Sequence, residues 1–350
     1  MANCHELFQH YNSTIKLSET NRNLLMNVRS ELRKRMDNGF LELQKVDLGN
    51  HTLEFQTQGS FVMDTIITPK DDDFDLDDGV YFIGDLNIDK RPSVDDFHKW
   101  VVYVIGQNED YATIDDRDAC VRVAFKKEKF HIDLPIYYKD QAEDPDLAHK
   151  KDDWSISNPV KFIVWFEEKI KSDFKVSYLL EEVKMFSEYE KWLNDIRNED
   201  HQLRRIVRYL KGWGDDLRGE MPTGIILTIL AAENYKPNDR DDIALRDTLK
   251  AIKSFLDNNG CKCPRPTTPE NDDLFASYSQ SKKDYFLSVL NSFITSATQA
   301  IDNPNQKDSC LKWQKHLGSR FSCAIAKDEI TDSNTYKAPA ILGGNSAKSA

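Results

Sequence analysis

Three aspartates and one Gly-Ser pair are the residues of this chain whose types and spacing can do chemistry. Asp75 and Asp77 stand two apart in the acidic run 71–78 (DDDFDLDD). In an extended strand, residues two apart project from the same face, so both carboxylates face one way and Leu76 faces the other. Two like charges so close repel unless a cation lies between them, and a set of oxygen ligands suits magnesium or manganese. Asp73 shares the parity but lies nearer the start of the strand, which makes it an outer partner. A calcium loop starting at Asp73 fails on spacing, because Asp78 stands where glycine is needed and Gly84 where glutamate is needed. Asp71 and Asp72 read as a solvated acidic loop.

The third carboxylate is Asp133. The runs Ala119–Phe125 and Phe130–Tyr137 are rich in strand formers and are joined by the polar Lys126-Lys127-Glu128-Lys129, which predicts a hairpin. Phe130, Ile132, Leu134 and Ile136 share one face; His131, Asp133 and Pro135 share the other. An aspartate in so apolar a strand is costly unless it is paired or ligates a metal. The Gly-Ser pair is Gly59-Ser60. It follows the alternating stretch 51–58 (HTLEFQTQ), read as a strand, and precedes 61–67, which can start a helix. A glycine at that junction lets backbone N–H groups approach a polyphosphate, and a helix N-terminus and a serine hydroxyl add donors. By itself Gly-Ser is an ordinary turn. Beside Asp75, Asp77 and Asp133 it predicts a site for nucleotidyl transfer that depends on Mg2+ or Mn2+.

Gln58-Gly59-Ser60-Phe61 with Asp64-Thr65, then Asp75-Leu76-Asp77-Asp78-Gly79-Val80-Tyr81, then His131-Ile132-Asp133-Leu134-Pro135, resemble in order the motifs of the bacterial CD-NTases, relatives of cyclic GMP–AMP synthase, and within them the DncV-like branch. The resemblance runs from about Gln58 to Phe321. It implies an α+β fold: a polymerase-β-type nucleotidyltransferase core of mixed sheet flanked by helices, followed by a helical domain of the oligoadenylate synthase type. It further implies a cyclic oligonucleotide product that signals in anti-phage defence. Lys211-Gly212-Trp213 resembles the family's Lys-x-Trp segment, and Arg122 falls in register with a family arginine near a guanine edge. Met221-Pro222-Thr223-Gly224 aligns with a family segment of hydroxyl side chains near the phosphates. The implied nucleotide-binding set is therefore Gln58, Gly59, Ser60, Arg122, Lys211 and Thr223. Met63 and Thr68 stand where close relatives carry a tyrosine and a basic residue. In some systems of this family a companion resembling a ubiquitin-transfer enzyme modifies the C-terminus, which points to Gly343-Gly344 through Ala350.

The whole chain bounds these readings. Its 350 residues suffice for two domains, and 39% hydrophobic with 30% charged residues is ordinary for a globular protein. A net charge of −12 argues against strong nucleic-acid binding, since phosphate contacts need local positive charge. No run of about eighteen apolar residues reads as a membrane span. The N-terminus lacks a secretory pattern. The six cysteines (4, 120, 261, 263, 310, 323) read as free thiols in a reducing cytoplasm, with a zinc site using His316 as the alternative.

Residues 1–17 read as a loose lead-in. Thr20 caps a predicted helix to about Asn38, with Gly39 as its C-cap and Arg29, Arg33, Lys34 and Arg35 as a solvated basic side. Ser93 caps a second helix over 97–105, with Trp100 and Tyr103 read as core. The stretch 140–153 is a polar connector, which divides the chain into a nucleotidyltransferase core (1–150), a helical domain (151–327) and a mobile tail (328–350). Helices are predicted over Val160–Lys171, Val176–Asn194, His201–Trp213, Thr223–Asn234, Asp242–Asn258, Ser279–Ile301 and Lys307–Leu317. Arg204, Arg208 and Lys211 share one helical face, either as a solvated basic surface or reaching triphosphate oxygens, with Lys211 favoured for the latter.

The expected chemistry is joint action of two divalent ions about 3.5–4 Å apart, held by Asp75, Asp77 and Asp133. Ser60 and the Gly59 backbone hold phosphate, and Asp133 helps to take the proton of a ribose hydroxyl. ATP and GTP are the expected substrates and cyclic GMP–AMP the expected product. The alternative is a transferase that acts on RNA or protein without cyclising.

Overall fold

The computed structural model describes residues 1–44, 51–71, 73–106, 111–126, 129–140, 144–170 and 200–328. The predicted helix at Val176–Asn194 and all but the first residue of the tail at 328–350, with Gly343-Gly344, lie outside these residues.

Two helices come first, α1 (His5–Ile15) and α2 (Glu19–Gln44). They are followed by β1 (Thr52–Gln58), the single turn α3 (Gly59–Val62), β2 (Phe74–Ile83) and α4 (Val94–Ile105). Strands β3 (Tyr111–Asp116), β4 (Cys120–Phe125) and β5 (Phe130–Lys139) then form, with β4 and β5 as the expected hairpin. The sheet order is β1-β2-β5-β4-β3; β2 and β5 are parallel and the other neighbours antiparallel. The alternation in the sequence decides which face is which. Leu76, Val80, Phe82, Ile132, Leu134 and Ile136 bury under α2 and α4, so the odd-numbered acids of β2 and Asp133 of β5 point to the opposite side.

The predicted connector at 140–153 instead carries β6 (Asp146–His149), which pairs with β5, and β7 (Asp153–Ile156), which pairs with β6. These strands are short and polar, with Ala148 the fully buried residue of β6, so no apolar alternation marked them.

The second half is helical, as predicted: α5 (Pro159–Ile170), α6 (Gln202–Leu217), α7 (Gly224–Asn234), α8 (Asp241–Asn258), α9 (Gln280–Asp302) and α10 (Gln306–Leu317). The loose lead-in expected at 1–17 is helix α1 over most of its length. Leu7, Phe8, Tyr11 and Ile15 form a helical stripe that enters the core of the helical half, where Phe8 packs against Trp313 and Phe321 with ring centroids 4.9 Å apart in each case. Helix α1 therefore belongs to the core of the helical half, although it precedes the sheet in the chain.

Further expectations change. Gly39 is not a C-cap: α2 runs through it, and a Cβ there would stand 2.8 Å from Cβ of Val104, so the glycine lets α2 cross α4 closely. The basic side of α2 is solvated only in part: Lys34 is exposed, but Arg29 is buried and donates to Thr57 Oγ1 at 2.7 Å, and Arg33 Nε donates to Asp78 at 2.7 Å. Tyr103 is 70% exposed, whereas Trp100 packs on Phe97 with centroids 5.0 Å apart. Two of the six cysteines are not free. Cys310 and Cys323 form a disulfide, their Cα atoms brought to 5.7 Å by the chain's return after α10. His316 packs against Phe293 and pairs with Ser296 at 2.8 Å, which is a core role and not a zinc ligand's.

Candidate active site

Strand register puts the predicted residues in one row. Gln58 of β1 lies opposite Asp77 of β2, Asp77 opposite Asp133 of β5, and Asp133 opposite Arg122 of β4. One register step back, Asp75 lies opposite His131. Two strands from separate parts of the chain therefore bring three carboxylates to one face, and the parallel β2–β5 pairing is what makes Asp77 and Asp133 neighbours.

Gly59 follows the row at the end of β1. Its φ of +70° is the left-handed conformation that favours glycine, and a Cβ there would run into the Asp77 carboxylate. The helix expected over 61–67 is only the one turn of α3. It closes with the amides of Thr65 and Ile66 donating to the Ser60 carbonyl at 2.9 and 3.1 Å. It stops at Asp64, whose φ is +51°. The Asp64 carboxylate is buried against Arg22 at 2.6 Å and Lys16 at 2.9 Å, and these bonds hold the left-handed turn.

Three of the four cations of α6 meet this turn in sequence. Arg204 donates to the Met63 carbonyl at 2.8 Å, Arg208 to the Asp64 carbonyl, and Lys211 Nζ to the Thr65 carbonyl at 3.1 Å. Arg204 also grips both oxygens of Glu167 on α5, at 2.9 and 2.7 Å, and both partners are buried. The expected solvated basic face is thus an internal clamp for its two arginines, because buried carboxylates and bare carbonyls on this side need donors.

A cleft of about 690 Å³ lies between the acid-bearing face of the sheet and the helices, lined among others by Gly59, Ser60, Asp75, Asp77, Asp133 and Lys211. Gln58 lines it too, its amide donating to the Tyr137 hydroxyl at 3.2 Å. Arg122 is turned to Asp133, donating to its two oxygens at 2.6 and 2.7 Å. Thr223 is exposed at the start of α7 and does not line the cleft, although Pro222 and Gly224 on either side of it do. Tyr137, Asn158, Phe162, Arg265 and Thr268 also line the cleft, which no motif foretold, because they are scattered over β5, the start of α5 and the 265–268 loop.

The charges in the cleft are out of balance. Burial, and then the nearby carboxylates of Asp75 and Asp133, push the Asp77 carboxyl well above its usual range. Burial pulls the Lys211 ammonium down to about 8, against the pull of Asp75 and Asp77. Burial lowers the pKa of Arg122, but its hydrogen bonds and charge pairing with Asp133 outweigh this and raise it. A buried carboxyl whose charge is opposed by two neighbouring carboxylates fits a site for divalent cations. Carboxylate oxygens of Asp75 and Asp133 and a ring nitrogen of His131 all lie within 4.8 Å of one another.

A mixed sheet that presents Asp-x-Asp and a third aspartate from adjacent strands, beside a Gly-Ser turn and under a helical half, is the fold of the polymerase-β-type nucleotidyltransferases. Residues 53–137 match the family described as "Cyclic GMP-AMP synthase DncV-like, nucleotidyltransferase domain". The matched stretch, which carries Gly59-Ser60, Asp75, Asp77 and Asp133, is similar to that DncV-like family of nucleotidyltransferases. A cyclic GMP–AMP synthase of Escherichia coli (strain TW11681) is 25% identical over 66% of this chain and 57% of its own length. One of Vibrio cholerae is 22% identical over 80% of this chain and 69% of its own. The match therefore spans little more than half of the Escherichia coli relative. The crystal structure of Vibrio cholerae DncV cyclic AMP–GMP synthase with nonhydrolyzable GTP superposes with a TM-score of 0.68 at 18% identity, covering 91% of this chain and 97% of that one. The same enzyme with the linear intermediate 5′ pppA(3′,5′)pG gives 0.68 at 17% identity, covering 91% and 96%. Among the described residues no helix is long and apolar enough to cross a membrane.

Proposed function

We propose that this protein is a metal-dependent synthase that joins two nucleoside triphosphates into a cyclic dinucleotide, with ATP and GTP as substrates and cyclic GMP–AMP as product. The observation that carries the reading is the row Gln58–Asp77–Asp133–Arg122, with Gly59-Ser60 at its edge and Lys211 facing it across the cleft. The base pair follows the products of the relatives that match this chain. In this reading the product signals in anti-phage defence, and the C-terminal residues through Ala350 are open to conjugation by a companion protein.

Asp75, Asp77 and Asp133 would hold divalent ions. When bound, the ions supply positive charge that offsets the triphosphate and lowers the pKa of an attacking hydroxyl. The chain supplies the rest. Gly59 leaves room for phosphate beside Asp77, and the Ser60 hydroxyl and the amides of the turn donate to phosphate oxygens. Lys211 adds a cation from the helical side. Asp133, oriented by Arg122, stands where it can accept the proton of the incoming ribose hydroxyl. In the first transfer the ribose hydroxyl attacks the α-phosphorus of the second triphosphate and pyrophosphate leaves. The linear dinucleotide stays held in the cleft lined by both halves for the second transfer, which closes the ring and releases the second pyrophosphate.

The test uses purified protein with Mg2+ or Mn2+ and each labelled triphosphate singly and in pairs, followed by phosphatase and mass spectrometry. A phosphatase-resistant cyclic product, lost in Asp75→Asn/Asp77→Asn, is expected. Label on RNA or protein with no small cyclic product, even with infected-cell extract added, replaces cyclisation with transfer to a macromolecule.

A further inference from the structure

We infer that His131 is a fourth protein ligand of the divalent cation, oriented by Asp73, and that this nitrogen biases the site toward Mn2+ over Mg2+. The inference rests on the nucleotidyl transfer reading of the same cleft. His131 and Asp133 are two apart on β5, and Asp75 and Asp77 are two apart on the parallel β2, in register as Asp75–His131 and Asp77–Asp133. The four side chains therefore form a two-by-two grid on one face. A ring nitrogen of His131 lies within 4.8 Å of carboxylate oxygens of both Asp75 and Asp133, a spread that one ion can bridge.

The second observation fixes the ring. Nδ1 of His131 is 3.0 Å from Oδ1 of Asp73, just ahead of β2. An ionised carboxylate only accepts, so this contact selects the tautomer with its proton on Nδ1 and the lone pair on Nε2. A histidine that donates one ring N–H to a carboxylate and offers the other nitrogen is the usual arrangement behind a metal-bound imidazole. His131 is buried and Asp73 is 60% exposed at its side chain, so the histidine is held in place and its orienting partner reaches it from the solvent side. Arg122 does not block the site, because each Asp133 oxygen keeps a second lone pair after accepting one bond. An imidazole nitrogen suits Mn2+ and later transition ions, whereas Mg2+ prefers oxygen throughout.

Pulsed electron paramagnetic resonance of the full chain with substoichiometric Mn2+ and a nonhydrolysable triphosphate tests this without turnover. Wild type is expected to show 14N coupling of a directly bound imidazole. His131→Asn should lose it and bind Mn2+ about 10–100-fold more weakly, with a smaller change for Mg2+. Asp73→Ala should weaken Mn2+ binding about 10-fold, and Asp73→Asn, which keeps an accepting oxygen, should restore most of it. Mn2+ bound to wild type with no 14N coupling overturns the inference and leaves the nucleotidyl transfer reading standing, since that reading needs only the carboxylates. If Asp75→Asn/Asp77→Asn binds Mn2+ as tightly as wild type, the reading of the cleft falls and the inference falls with it.

Discussion

Gly59 and Asp77 touch across the end of β1, and each limits what the other can be. Gly59→Ala puts a Cβ into the Asp77 carboxylate at a positive φ, which costs about 1–2 kcal/mol for the backbone conformation alone. The variant should fold with a lowered melting temperature and lose most turnover, measured by calorimetry and product formation on one preparation. Asp77→Asn should part stability from activity. Because the folded-state pKa of Asp77 is raised, its ionised form destabilises the metal-free fold above the ordinary carboxylate range, and this penalty is absent below it. Metal-free Asp77→Asn is therefore expected to melt higher than wild type at pH 7 and alike at pH 3, while turnover falls at least about 100-fold. A lower melting point at pH 7 would refute the electrostatic account. Lys211 gives a third test. Its folded pKa of about 8 lies below its ordinary value, so charge on the folded protein is lost as pH rises through about 8. Triphosphate affinity should decline above that pH in wild type, and Lys211→Arg should move the decline upward. Much of this scale was legible in the sequence, because the same-face rule for residues two apart needs no structure. Arg122 was legible as a residue and not as a partner: strand register, which one sequence does not print, turns it to Asp133.

At the scale of elements, α6 shows what charge patterning hides. Arg204 and Arg208 at helical spacing look the same whether they meet water or buried carboxylates, and only the path of 63–65 tells them apart. The same holds for Arg29 and Arg33, which serve Thr57 and the inward-facing Asp78. Arg204→Met should destabilise the fold by about 3–5 kcal/mol, because it strands Glu167 as a buried unpaired charge. Arg204→Met with Glu167→Met should recover most of that in denaturant titrations. If the double variant is no better than the single, the buried pair is not what α6 contributes. The described helices of the second half were found from periodicity within a few residues of their bounds. Strands β6 and β7 were not, since four-residue polar edge strands carry no period to read.

At the scale of the molecule, the N-terminus is a structural member of the far half. Removing residues 1–17 uncovers Trp313, Tyr209 and Phe321, against which Phe8 and Tyr11 pack, and removes Lys16 from Asp64. The truncated protein should show a marked loss of cooperativity in thermal unfolding by circular dichroism, whereas a disposable leader would leave the transition unchanged. The sequence pattern at Leu7, Phe8, Tyr11 and Ile15 was available for that reading, but a single short amphipathic run ahead of a stronger helix is easily taken for an end.

The rungs from α6 to the carbonyls of Met63, Asp64 and Thr65 carry a consequence beyond stability. The loop that would cradle phosphate is tied to the helix as a bell to its rope. Whatever grasps the helical half more firmly in one position of α6 than in another must alter affinity for nucleotide in the cleft. By reciprocity, nucleotide must alter the grip of that effector by the same factor. The coupling between α6 and the phosphate turn would run through three consecutive backbone oxygens.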